Sequence, residues 1–213
     1  MIGNFPQAFS HIGLINAAWA IAQARERGTG GGPAAAAGSG NPTENGSSAG
    51  AFTEAFGSED LDASNLMLAS TGFLPGDDPR IKATIDATAA RLTDERGLVY
   101  RYLAQDGLAG AEGTFLLCTF WLAQAQALAG ELDQATATFE RALAAMNDVG
   151  LLAEEVDPGS GEMIGNFPQA FSHIGLINAA WAITQARERA ARRVPVVAAP
   201  MRRRGAGADH GLE

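Results

Sequence analysis

Cysteine is nearly absent. The 213 residues include one, Cys118, so no intramolecular disulfide framework is available and a reduced, cytoplasmic compartment is the expectation. Cys118 stands in the apolar run Phe115-Leu116-Leu117-Cys118-Thr119-Phe120-Trp121-Leu122, where a buried, inert thiol is expected rather than a nucleophile. Basic charge is also short. The 15 Lys and Arg against 24 Asp and Glu leave a net charge of −9, which argues against nucleic acid or an anionic membrane as the main partner. No apolar run approaches the ~20 residues of a membrane span, and no basic stretch leads into an apolar one at the N-terminus. A soluble chain without an export signal follows as an expectation. His173 and His11 have no Cys, His or Asp partner at helical or hairpin spacing, so no metal site is predicted and no cofactor is implied. Gly30-Gly31-Gly32 follows no strand and is not a phosphate loop. No Ser-His-Asp constellation stands on a recognisable elbow.

What is present begins with a repeat. Residues 1–27 recur as residues 163–189, with 26 identities in 27 positions and one difference, Ala22 against Thr184. Copies that had diverged separately would differ more, so this one is recent, by rearrangement or by engineering. A chain reopened at Met163, as in a circular permutation with overlap, would have this form. Residues 28–50 hold eight glycines and have no apolar period, which predicts a flexible Gly/Ala/Ser linker. After residue 190 the composition shifts to Arg, Pro, Val, Gly and Ala. Arg192, Arg193, Arg202, Arg203 and Arg204 make 191–213 a basic tail that is expected to be disordered. Residues 51–190 remain as the domain. At 46% hydrophobic the chain can fill one ordinary core, but it is short for a large enzyme.

Asp78 before Pro79 is a helix start, because Asp caps free amides and Pro fits the first turn. Ile81, Ile85, Ala89 and Leu92 continue it at helical spacing. Residues 97–102 (GLVYRY) form a short extended piece. Residues 113–129 are apolar nearly all round and predict a covered inner helix, whereas 132–147 place Leu132, Ala135, Phe139, Leu143 and Met146 on one face and predict an outer one. Residues 60–71 and 168–189 also predict inner helices, with Pro168 near the start of the second. Residues 1–27 should repeat it. The class is all-α, with buried and half-exposed helices alternating. Trp19, Trp121 and Trp181 are assigned to the core, or to a stacking platform if a sugar pocket is open. His173 and its copy His11 are expected to be hydrogen-bonded packing residues.

Six blocks then stand in one order: FGSEDLDAS (56–64), GFLPGDDPRIKATID (72–86), GLVYRY (97–102), AEGTFLLCTFWLAQAQALAG (111–130), NDVGLLAEEVDPGSGE (147–162) and GNFPQAFSHIGLINAA (165–180). Over residues 52–189 the chain resembles the C-terminal part of bacterial glucoamylase-like and trehalase-like glycoside hydrolases of family 15. The resemblance implies part of an (α/α) toroid of six helical hairpins, and inverting hydrolysis of α-linked glucosides. It makes Glu154 the candidate general base and Glu155 its neighbour. Arg101 and Tyr102 look like the family's sugar-contacting pair, and Glu112 and Phe115 like the rim of its glucose pocket. On their own, two adjacent glutamates are an acidic surface patch, and an arginine is one half of a surface ion pair. The general acid that inversion requires has no counterpart in residues 1–50. Two functions are therefore carried forward: a glycoside hydrolase by descent, incomplete and inactive alone; or a non-catalytic helical module, or an engineered or permuted scaffold, that forms a homo-oligomer through 1–27 or 163–189.

Overall fold

A computed structural model of the chain describes residues 50–55, 57–104 and 112–193. The expectations for 1–27, for the linker up to residue 49 and for the tail beyond 193 lie outside the described residues, as do Trp19 and His11.

The order of elements is a 3-10 turn at Ala63–Leu66, then α1 (Met67–Ser70), α2 (Pro79–Arg91), β1 (Thr114–Phe115), α3 (Leu116–Ala129), α4 (Leu132–Leu143), β2 (Glu155–Val156), β3 (Met163–Ile164) and α5 (Ala170–Arg193). The helical class stands, with one addition: a ribbon of two-residue strands ordered β1-β2-β3, antiparallel throughout.

α3 lies at the centre. Leu116, Phe120, Leu122 and Ala123 are essentially without solvent exposure, as are Ala125 and Ala127 on the turns that follow. α5 and α4 pack along it, and α2 covers a third side. Phe120 meets Phe139 of α4 with centroids 5.7 Å apart and planes tilted by 59°, a favourable arrangement of the ring quadrupoles. Truncating a buried phenylalanine of this kind costs about 3–5 kcal/mol. α3 ends as an inner helix should. Gly130 adopts a left-handed φ of +86°, its N–H donates to Ala127 O, and Glu131 N–H donates to Gln126 O, the paired bonds of a Schellman cap.

Asp78 starts α2 as expected, and its carboxylate accepts from Arg80 N at 2.9 Å. α2 buries Ile81, Thr84, Ile85 and Thr88 against the core. α4 buries only Ala135, Thr138 and Ala142, in keeping with an outer helix.

Three expectations change. Residues 60–71 do not form one inner helix. Ala63 N–H donates to Arg101 O, and Asp62 bridges Tyr102, so the chain is held extended at its start and leaves only a 3-10 turn and four helical residues before Gly72 turns at a φ of +73°. Trp181 is not core. It is 67% exposed on the outer side of α5, whereas Trp121 packs against the core. The last helix runs to Arg193, past the boundary expected at 190.

Candidate active site

The segment 147–154 closes on itself before it reaches the glutamates. The Asn147 side-chain oxygen accepts from Val149 N and Leu151 N, and Asn147 N–H donates to Leu151 O. Leu152 and Ala153 then turn fully into the core.

From there the start of α5 and the stretch before it hold each residue in turn. Leu152 N–H donates to His173 Nε2 at 3.4 Å, and Leu152 O accepts from Gln169 N–H at 2.9 Å. Ala153 O accepts from the buried Ser172 hydroxyl at 2.7 Å. Glu154 N–H donates to Asn166 O. The Glu154 carboxylate is fastened as well: its Oε2 accepts from Asn166 N at 3.0 Å and from Asn166 Nδ2 at 2.9 Å. Both bonds fall on one oxygen, which leaves Oε1 with no protein partner among the described residues. His173 is the hydrogen-bonded packing residue that was expected. Its Nδ1 lies 2.7 Å from Gln169 O, and with Nε2 accepting from the backbone, Nδ1 is the donor.

Glu155 follows on β2, paired with Phe115 on one side and Ile164 on the other. Directly opposed residues share a face, so Phe115, Glu155 and Ile164 line up across the ribbon. Burial pushes the Glu155 carboxyl above its ordinary value. The negative charges of Glu154 and then Glu112 push the same way, against a hydrogen bond from the Gly113 backbone. Gly113 permits this approach: a Cβ there would meet the Glu155 carboxylate and Ile164. The three candidate glutamates are thus electrostatically coupled, with Glu112 exposed and the other two half-buried.

Phe115 is the N-terminal cap residue of α3, and its N–H donates to Val99 O at 2.8 Å. That bond, and a second from Val99 N–H to the Thr119 hydroxyl at 3.0 Å, tie the 97–102 segment to the head of α3. Arg101 and Tyr102 follow in that segment, with the Arg101 guanidinium 5.4 Å from the Tyr102 ring centre. Asp62, Arg101 and Glu155 all lie close enough to act on the Cys118 thiol, whose pKa is driven far upward mainly by its complete burial. Phe115, Glu155, Glu154 and Glu112 are thus grouped at the head of α3, with Arg101 within electrostatic reach of Cys118 one turn in and Tyr102 beside Arg101. Below it, Arg96 braces the turn after β2: its Nε donates to Asp94 Oδ2, and its Nη2 to Asp157 O at 2.7 Å. Among the described residues no three His, Cys, Asp or Glu side chains converge as metal ligands.

A family model described as glycosyl hydrolases family 15 matches residues 44–181. The chain belongs to glycosyl hydrolase family 15. Family relatives include a trehalase of Mycolicibacterium smegmatis, 48% identical over 144 residues, which make up 66% of this chain and 21% of that protein. A trehalase of Mycobacterium tuberculosis is 48% identical over 146 residues, 67% of this chain and 21% of its own length. A trehalase of Thermoplasma volcanium is 40% identical over 129 residues. The chain thus spans about a fifth of the length of these trehalases. Among solved structures, a wild-type glycosidase shares the fold with a TM-score of 0.56 at 23% identity, over 67% of this chain and 41% of that one. A glycosidase in complex with glucose does so with the same TM-score at 22% identity.

The family-15 blocks indicated Glu154 and its neighbours but not what holds them. Asn166, Gln169 and Ser172 were missed as site residues, although all three stand in the GNFPQAFSH block. Gly113 was also missed; a glycine just ahead of an apolar helix is the one signal it gave.

The described residues contain no helix long and apolar enough to cross a membrane.

Proposed function

We propose that the chain carries the water-activating half of an inverting α-glucosidase site of the trehalase type, with Glu154 as its general base. The observation that carries this reading is the fastening of Glu154. Its backbone, its two preceding residues and one of its carboxylate oxygens are all held, and the other oxygen is left for a water. A base must present its lone pair at a fixed angle to the water it deprotonates, and this arrangement supplies that. Glu155, Arg101 and Tyr102, with Glu112 and Phe115 at the rim, would form the sugar-facing wall around it. The link to α,α-linked or other α-linked glucosides rests on the relatives, which are named as trehalases.

Inversion also needs a protonated carboxyl on the leaving oxygen, about 6.5–9.5 Å from the base, and no residue of this chain resembles the family's acid. The proposed activity therefore depends on that acid being supplied from outside these 213 residues. With trehalose, maltose or maltooligosaccharides, the chain alone should release negligible glucose. Mixed with a homologous trehalase truncated before the matching segment, it should restore turnover, and Glu154→Gln should lower the restored rate by about 10²–10⁴-fold. Turnover by the chain alone would refute the dependence, and equal restoration by Glu154→Gln would refute the role of Glu154.

A second reading, a helical module that self-associates, is favoured by one observation. Ile174, Ile177 and Trp181 are 49%, 63% and 67% exposed at helical spacing along α5, and such apolar stripes mark contact surfaces.

A further inference from the structure

The place occupied by residues 163–189 makes specific demands. Gly175 lies against Leu117 and Phe120 so closely that a Cβ would stand 2.9 Å from Leu117 Cδ1 and 3.1 Å from Phe120 Cβ. Ala179, Ala182, Ile183 and Ala186 are buried against α3 and its neighbours. Asn166, Gln169, Ser172 and His173 make the bonds that hold 152–154. All nine requirements are met a second time in the same polypeptide, by Asn4, Gln7, Ser10, His11, Gly13, Ala17, Ala20, Ile21 and Ala24. The one difference between the copies, Ala22 against Thr184, does not touch this surface. Thr184 is exposed, and its hydroxyl donates to Ala180 O within its own helix.

We propose that residues 1–27 are an alternative occupant of the seat of residues 163–189, within the same chain. Seated there, Asn4 takes the Glu154 carboxylate, and Gln7, Ser10 and His11 take the 152–153 backbone. Met1-Ile2 replaces β3 on the edge of β2, and the displaced second copy stays attached through the turn at 157–162.

The connection has the right length. Arg189 and Ala190 line one cleft with Asp77, so the end of the seat lies beside the start of α2. Phe52, the third described residue, donates its N–H to the Thr84 hydroxyl of α2 at 2.9 Å, and Thr84 is about 10 Å along the helix from Asp77 at 1.5 Å per residue. A chain leaving Arg27 in the place of Arg189 therefore has that ~10 Å and the width of the cleft to cover. The Gly-rich residues 28–50 have a root-mean-square span of about 26 Å as a coil. A tether whose span matches the gap gives the highest effective concentration of its end group. The seat accordingly sees two nearly identical segments, one joined by a short turn and one by a matched tether.

The test uses the full chain and the two equivalent glycines. Leucine at Gly175 cannot enter the gap beside Leu117 and Phe120, and leucine at Gly13 blocks the first copy in the same way. Gly13→Leu alone should leave the thermal midpoint nearly unchanged. On the Gly175→Leu background it should remove several further degrees, because both occupants are then excluded. If Gly13→Leu has no effect on that background, or if Gly175→Leu alone abolishes cooperative unfolding, the proposal fails.

A covalent trap gives a second readout. With Cys118 replaced by Ser, the pair Gly13→Cys and Leu117→Cys should form a disulfide on mild oxidation, found by peptide mapping in a species of monomer mass under denaturing conditions. Absence of the 13–117 disulfide, or its recovery only at dimer mass, would overturn exchange within one chain.

Discussion

Asp78 binds Arg80 three ways: Oδ1 accepts from its backbone N and from Nε, and Oδ2 accepts from Nη2. The Arg80 side chain is the largest influence holding the Asp78 carboxyl below its ordinary 3.8. A carboxylate depressed in the folded state contributes stability that is present above its unfolded value and is lost as pH falls through the folded one. Asp78→Ala should therefore cost about 1 kcal/mol at pH 7, with the gap from wild type closing below pH 3.8; urea titrations at both pH values would read it. Asp78→Asn, which still caps, should lose less. Glu155 has the opposite sign. Its carboxyl is raised, by burial first and by Glu154 and Glu112 next, so the folded chain holds this proton more tightly than the unfolded one. Its ionisation weakens the fold as pH rises above the ordinary 4.5. Glu155→Gln should lift the thermal midpoint at pH 7 by about 1–3 °C, a modest figure because the group is only half-buried, and should do nothing at pH 4. A destabilised Glu155→Gln at neutral pH would contradict this account.

At the scale of elements, legibility follows the length of the pattern. α2, α3, α4 and α5 each run three turns or more, so Ile81 with Ile85, or Ala135 with Ala142, repeat often enough for the 3.6 period to register. β1, β2 and β3 have two residues each and no period at all; they exist because Thr114 and Phe115 meet Val156 and Glu155 across the molecule. Residues 60–71 failed for the same reason. Their apolar spacing suits a helix, but a bond to Arg101 and a bridge to Tyr102 decide their path, and neither is local. The site divides likewise. Glu154 was legible through six blocks of resemblance, whereas the bonds to it from Asn166 span twelve residues and follow no spacing rule. The ribbon is also where one substitution should be felt in two elements. Gly113→Ala places a methyl where the Glu155 carboxylate now lies, so the Glu155 side chain and the end of Ile164 must move aside. A loss of about 1–3 kcal/mol, the usual cost of overpacking, is expected in denaturant melts, with near-ultraviolet dichroism of the aromatic core altered as well.

At the scale of the whole molecule, the difficulty is one of surface. α5 has two apolar sides. Ala179, Ala182, Ile183 and Ala186 meet α3 and are buried, while Ile174, Ile177 and Trp181 face out. The sequence shows both stripes and cannot say which one has a neighbour, which is why Trp181 was assigned to the core. An exposed Ile-Ile-Trp stripe costs little to bury, since it carries no charge, and each such side chain gains about 1.5–3 kcal/mol when fully covered. The same residue types recur in the sequence of the first copy as Ile12, Ile15 and Trp19. A self-complementary apolar strip on a helix favours a two-fold pair. The chain should therefore sediment as a dimer at tens of micromolar. Trp181→Glu together with Trp19→Glu should shift it to monomer, because an unpaired carboxylate is costly to bury, and should leave its helical dichroism intact, because Trp181 is exposed and takes no part in the α3 contact. A wild-type chain that stays monomeric at that concentration removes the self-association reading and leaves the stripe to a different partner.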